Sequence, residues 1–295
     1  MRHGARKRLD FRRLLARVDW KRVLWGAGGG CVALLLAASG LALVASPAQT
    51  PNVPDRFDPG IIIADELFYD GDAMTAEEVE GFLDERVPDA ARQSLRNFTE
   101  DTESRPADDY CDGYAGADDE SAADIIARVG ESCDISQRAL LVILQKETAL
   151  VGLRTPEDWR YDRAMGYACP DSGPNRSANC DEDFYGFANQ LYWGARQYQV
   201  YRAHPEDFNY RPFEMNTIQF HPDRDRCGTS DVYVMNWATA GLYNYTPYQP
   251  NRSALAAGQG EGDACATYGN RNFYDLYKAW FGDPHVAREA DPAQR

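Results

Sequence analysis

Twenty-four uncharged residues, VLWGAGGGCVALLLAASGLALVAS from Val23 to Ser46, follow a 22-residue leader that carries nine Lys or Arg against Asp10 and Asp19. No other feature constrains the chain so strongly. A helix of that length spans the hydrocarbon core of a bilayer, and the basic flank stays in the cytoplasm, which puts residue 47 onward outside. A cleaved signal peptide is the alternative, because the segment is Ala-rich and ends in small residues. A retained anchor is the preferred expectation, since the span exceeds the h-region of roughly 7 to 15 residues and lacks a clear small-x-small site. The expected location is the cell membrane, single-pass with an extracellular C-terminal domain, or the exterior if the segment is removed. Residues 1–22 then form a cytoplasmic basic segment.

Export gives the cysteines their meaning. Cys31 lies in the apolar segment, leaving Cys111, Cys133, Cys169, Cys180, Cys227 and Cys265 outside. An even set in an oxidising compartment implies disulfides, although spacing cannot select among the possible pairings. The working expectation pairs neighbours: 111 with 133, 169 with 180, 227 with 265. A structural zinc site is the rival, but no CxxC or HxxxH spacing occurs and His204, His221 and His285 are scattered. No metal or other cofactor is expected.

Charge narrows the partners. Removing the leader's nine basic and two acidic residues from the totals of 31 and 46 leaves 22 against 44, a net charge of −22. Such a surface repels polyanions, so neither nucleic acid nor electrostatic capture of an anionic wall polymer is expected. Whatever binds is held by hydrogen bonds and aromatic faces.

Along the exported part, residues 47–60 read as a Pro-rich linker and 61–105 as an N-terminal arm with a short helix. Thr75 and Glu78 fit a capping box that opens this helix. The Asp-Gly-Asp at 70–72 reads as a turn, since the rest of a calcium loop is missing. Residues 87–120 are acidic and irregular. A helix capped by Ser121 is expected to stop at Gly130, and a second, capped by Ser136, contains LLVILQKETALVG (140–152). Further helices are expected over 186–202, 236–243 and 270–282, with weak strands near 216–220 and 231–235. The expected class is mainly α with disulfide-pinned loops: one domain over 106–285, then a flexible tail over 286–295.

Leu140, Ile143, Leu144 and Glu147 fall at i, i+3, i+4 and i+7, so the pattern sets a carboxylate on the apolar stripe. Burial there raises a carboxylic acid's pKa and suits it to proton donation. The plainer reading leaves Glu147 at the helix end, leaning outward and paired with an Arg.

The order of the following motifs supports the first reading. After Glu147-Thr148 come RAMGYACPD (163–171), FYGFANQ (184–190) and ATAGLYNYTPYQPN (238–251). This succession resembles the soluble lytic transglycosylase branch of the lysozyme-like superfamily. Together with FDPG at 57–60, LLVILQKE and YGNRNF at 268–273, it resembles an exported actinobacterial group with lysozyme-like domains, often labelled hemagglutinin-like, over about residues 57 to 283. The resemblance implies a lysozyme-like domain acting on peptidoglycan glycan strands. It makes Glu147 the general acid/base, with Thr148 beside it, and puts Tyr243-Asn244 and the adjoining Tyr245 across the groove. The Gly-apolar-x-Gln segment that lines the groove has two candidates. Gly166-Tyr167 has the better spacing from Glu147, whereas Gly186, Phe187 and Gln190 match better by residue type, with one extra position.

Most glycosidases use two carboxyl groups. None is singled out beside Glu147, because Asp158, Asp162, Asp171, Asp181 and Asp183 lie in loops where acids are ordinarily solvated. A lone Glu fits the transglycosylation that the resemblance implies. Tyr243, Tyr245 and Tyr248, with Asn244, Gln249 and Asn251, offer flat faces and amides to sugars, or else pack a structural corner. Trp193, Tyr198 and Tyr201 read as core, as do Phe273, Tyr277 and Trp280. A non-catalytic glycan-binding or adhesin module is the competing function. A cysteine peptidase needs a free thiol, and a serine hydrolase lacks its GxSxG.

Overall fold

Ala139 to Leu144 are all fully buried, six consecutive residues of α4 (Gln137–Thr148) with no face left for water. A helix apolar all round has to sit inside other elements, and the rest of the described chain is arranged as its casing. The computed structural model describes residues 56–285, apart from 90, 171 and 175–177. The basic leader, the apolar segment 23–46 and the tail 286–295 lie outside the described residues. No helix among those described is long and apolar enough to cross a membrane.

Packing begins at Phe57, within the expected linker: its ring meets Tyr274 edge-on at 5.8 Å. The expected N-terminal arm belongs to the core, with Ile62, Ile63 and Phe68 fully buried. It forms α1 (Asp65–Phe68) and α2 (Ala76–Arg86), and the Thr75–Glu78 capping box is present in full. Gln137 ties this arm to α4. Its Oε1 accepts from Met74 N at 3.0 Å, and its Nε2 donates to Ala127 O and to Gly71 O of the Asp-Gly-Asp turn.

Residues 87–120 form a 3₁₀ turn at Leu95–Asn97 and a two-residue strand β1 (Thr99–Glu100) antiparallel to β2 (Glu120–Ser121). Ser121 caps α3 (Ala122–Cys133), accepting from Asp124 N at 3.1 Å. Gly130 does not end this helix. It lies inside, where a Cβ would meet Ile135 O at 2.8 Å and the Gln137 amide closer still, so glycine is there for close approach. Asp134, left-handed at φ 51°, makes the turn instead.

Beyond α4 come a short α5 (Trp159–Asp162) and the long α6 (Phe187–Ala203), which packs on α3 and on α8 (Trp237–Tyr245). The weak strand signals become a hairpin, β3 (Glu214–Gln219) and β4 (Thr229–Val234), with the single turn α7 (Arg224–Cys227) in its loop. Ile218, Val232 and Val234 face inward, while Met215 and its cross-strand partner Tyr233 are exposed. Gln249 stitches the hairpin to the segment after α8, donating 2.8 Å bonds to Ile218 O and Ser230 Oγ. A five-residue α9 (Arg252–Ala256) and the amphipathic α10 (Gly269–Phe281) complete the fold, α10 lying along α4.

All six cysteines of the described residues are paired between neighbours, as expected: 111–133, 169–180 and 227–265. Among the described residues, no cysteine is therefore left as a thiolate ligand or a free nucleophile. Asp65 caps α8, accepting from Ala238 N at 2.7 Å. Burial raises its pKa, against the two backbone N–H groups that pull it down.

Two outcomes are expected. Replacing Cys227 and Cys265 by Ser opens a loop of 38 residues and should cost about 3–4 kcal/mol in urea unfolding. For Asp65, a raised folded pKa means that the native state holds the proton more tightly than the unfolded chain, so stability drops as pH climbs from the ordinary carboxylate range through the raised value. Asp65→Asn keeps an acceptor and lacks that proton. Its urea midpoint should therefore gain on wild type between about pH 4 and pH 7, and equal slopes for the two proteins would refute the assignment.

Candidate functional site

The last turn of α4 is where the casing opens. Leu140, Ile143 and Leu144 are fully buried, but Glu147, next along the stripe, has a side chain 27% exposed. The expected dry position is thus corrected: the stripe leaves the core as the helix ends. The ion-pair partner is not an Arg but Lys146, whose side chain is only 4% exposed. Lys146 Nζ bonds the Glu147 carboxylate and also donates to Thr246 Oγ1 at 2.9 Å, linking α4 to the end of α8.

Three left-handed residues frame the carboxylate. Ala149 (φ 58°) ends α4, and Gly166 (φ 70°) and Ala168 (φ 54°) shape the opposite segment. A Cβ at Gly166 would stand 3.2 Å from Glu147 Oε2, so the backbone passes close beside the acid. Left-handed alanines cost about 1–2 kcal/mol each, and such strain clusters at functional sites.

Gly166 forms part of a hollow of about 420 Å³, with Tyr167, Cys169, Pro170, Gln197, Tyr201, Asn244 and Tyr245 around it. That volume falls in the range of ligand sites. Tyr245 stacks on the buried Tyr198 with centroids 5.0 Å apart, and its hydroxyl donates to Met165 O at 3.0 Å. Burial raises both phenols well above their ordinary pKa, reinforced at Tyr245 by the Glu147 carboxylate, so both stay neutral. Asn244 spends its amide on the Tyr210 backbone, accepting from N at 2.9 Å and donating to O at 2.8 Å.

Glu147, Gly166, Tyr167, Asn244 and Tyr245 therefore come together at or beside one hollow. Other expected residues stand behind it. Gln190 is fully buried: its Oε1 accepts from Tyr167 N, and its Nε2 donates to Tyr167 O and Phe184 O. It buttresses the Gly166–Tyr167 wall, which reconciles the two candidate segments: one lines the hollow and the other holds it. Phe187 is core, packed edge-on to Phe98. Tyr243 is fully buried, with its hydroxyl on Pro59 O. Thr148 is buried, its hydroxyl 3.1 Å from Leu144 O and from Ala164 O. Gly186 opens on a different hollow.

That second hollow is larger, about 560 Å³, and includes Glu100, Glu103, Arg105, Asp183 and Trp193. Burial raises the Glu100 carboxyl, which makes it a rival acid by charge state. Its oxygen is committed to Ala188 N at the start of α6, the task of a helix cap, and three further acids, Asp101, Glu103 and Asp183, line the same hollow. Glu147 sits beside aromatic and amide groups and is the stronger candidate.

Sequence reasoning did not assign Lys146, Thr246, Gln197 or Tyr201 to the site. Lys146 was signalled by being a lysine inside an apolar run, the others by nothing local. For a metal, His204, Glu206 and Asp207 bring ligand atoms within 4.8 Å of one another, but both acids are exposed and the imidazole already bonds Tyr110 Oη at 2.8 Å. Comparison of the chain with protein-family models, curated proteins and solved structures finds no match.

Two substitutions test the frame. Gly166→Ala should destabilise by about 1–2 kcal/mol, because it adds a left-handed Cβ and crowds Glu147. Ala149→Gly should stabilise by up to about 1 kcal/mol. Urea unfolding checks both, and a stabilised Gly166→Ala protein would contradict the described backbone.

Proposed function

We propose that the chain is an exported lysozyme-like enzyme that cleaves the glycan strands of peptidoglycan with Glu147 as general acid/base. In this reading residues 23–46 anchor it in the membrane, or are removed to release it, and the catalytic domain faces the wall. One observation carries the reading: a carboxylate at the open end of a buried helix, pressed against the Gly166 backbone beside a hollow walled by phenols and amides. Tyr167, Tyr201 and Tyr245 suit pyranose faces, and Gln197 can hydrogen-bond sugar hydroxyls. The order of motifs along the chain supports the same family.

The chemistry follows from a single acid. Protonated Glu147 donates to the glycosidic oxygen, and the C1–O bond breaks as the substrate's own N-acetyl oxygen takes up the developing positive charge. The carboxylate then accepts the proton of the 6-hydroxyl as that oxygen closes on C1, giving an anhydro end and restoring the acid. Water in place of the hydroxyl gives a reducing end, the muramidase outcome.

A second reading, a wall-binding module without catalysis, is favoured by the Lys146–Glu147 ion pair, which occupies the carboxylate. One experiment separates the two. The full-length protein in non-ionic detergent is incubated with purified peptidoglycan, and the released muropeptides are read by mass spectrometry. Wild type should release anhydro-ended fragments, and Glu147→Gln should cut release by about 10²–10⁴-fold. Co-sedimentation without release by either protein selects the binding module. Equal release by both removes Glu147 from the chemistry.

A further inference from the structure

Over residues 47–295, which carry a net charge of −22, one hollow gathers cations. It measures about 520 Å³ and lies where Phe57, α9 and α10 meet. Arg271, Tyr274, Asp275 and Lys278 reach it from α10 at i, i+3, i+4 and i+7, which is one helix face. Arg252, at the start of α9, and Arg56, from the incoming chain, are exposed and complete the rim. Four basic side chains and one acid, Asp275, thus line the hollow, on a stretch, residues 47–295, where acids outnumber bases 44 to 22.

Arg271 is the telling residue. It is 5% exposed, its guanidinium stacked on Tyr268 at 4.4 Å and donating to Ala254 O and the Asn272 side chain. Those partners satisfy hydrogen bonds but carry no charge. Among the described residues, no carboxylate lies within ion-pair distance of it. Asp275, one turn further along the same face, offsets that buried charge in part, and a bound anion would add to the offset. The bond from Arg271 to Ala254 O ties α9 to α10 and so sets the backbone from which Arg252 reaches the hollow. Among the same lining, Phe57, Leu255 and Tyr274 give an apolar wall, Phe57 packed edge-on to Tyr274.

We propose that this hollow binds a phosphate ester, its oxygens taken by the guanidinium forks of Arg56 and Arg252 under the field of Arg271, and its organic part lying on the Phe57–Tyr274 wall. Planar guanidinium groups match phosphate oxygens in pairs. A phospholipid head group is one source of that chemistry and free phosphate the other. Arg56 follows the apolar segment by ten residues, a reach of at most about 35 Å. The lipid assignment rests on the anchored reading. The phosphate site itself does not.

Thermal unfolding of the full-length protein in non-ionic detergent tests this, with inorganic phosphate and dihexanoyl phosphatidylglycerol titrated separately at matched ionic strength. At ligand ten times above its dissociation constant, Tm should rise by about 3–5 °C. Arg56→Ala/Arg252→Ala, at exposed positions that leave the core intact, should lose the rise, whereas Arg211→Ala should keep it. Glu147→Gln should keep it too, which separates this site from the glycan reading. A rise with the lipid alone assigns the head group, and a rise with both assigns the phosphate. No rise with either, or a rise that the double variant retains, overturns the proposal.

Discussion

The full burial of α4 is the constraint on which the rest depends. Six consecutive residues without exposure require partners on every side, and α1, α3 and α10 supply them. The stripe emerges only in the last turn, so the groups there are held by a rigid base and still meet solvent. Arg160 Nη1 donates to Thr148 O at 2.6 Å, and the Thr148 hydroxyl sits against Ala164 O. The loop that brings Gly166 beside Glu147 is thus moored to the helix that carries the acid. Preorganisation of this kind lets one side chain be aimed without a large cavity around it.

The three disulfides and the buried amides divide the remaining work. Gln137, Gln190, Gln249 and Asn244 each use a side-chain amide as a substitute strand or cap, satisfying backbone groups that a loop-rich fold leaves over. The disulfides stand at the end of α3, where Cys111 and Cys133 are buried in the core, beside the Glu147 hollow and between the hairpin loop and the segment after α9.

Much of this was legible in the chain. The capping box at Thr75, the Ser121 cap and the amphipathic last helix were local signals and became those elements, and neighbour pairing of the cysteines matched the three bonds formed. Gly130 misled because glycine marks both helix ends and close contacts, and the contact is with Gln137, which no local pattern reveals. Glu147 was found by its heptad position, yet periodicity cannot say that a stripe is about to leave the core. Phe187, Gln190 and Tyr243 were expected in the groove and stand behind it, since adjacency in a motif does not tell which face a side chain takes. Lys146 and Thr246, a hundred residues apart, meet only through the fold.

The bond between Cys169 and Cys180 closes an eleven-residue excursion, and Cys169 is part of the hollow beside Glu147. Before oxidation that lip has no covalent closure, so the recess acquires its final outline only once its thiols have been consumed. Maturation of the pocket is thereby coupled to the redox state of the space in which the chain folds, and a copy kept reduced would carry the acid without its finished enclosure.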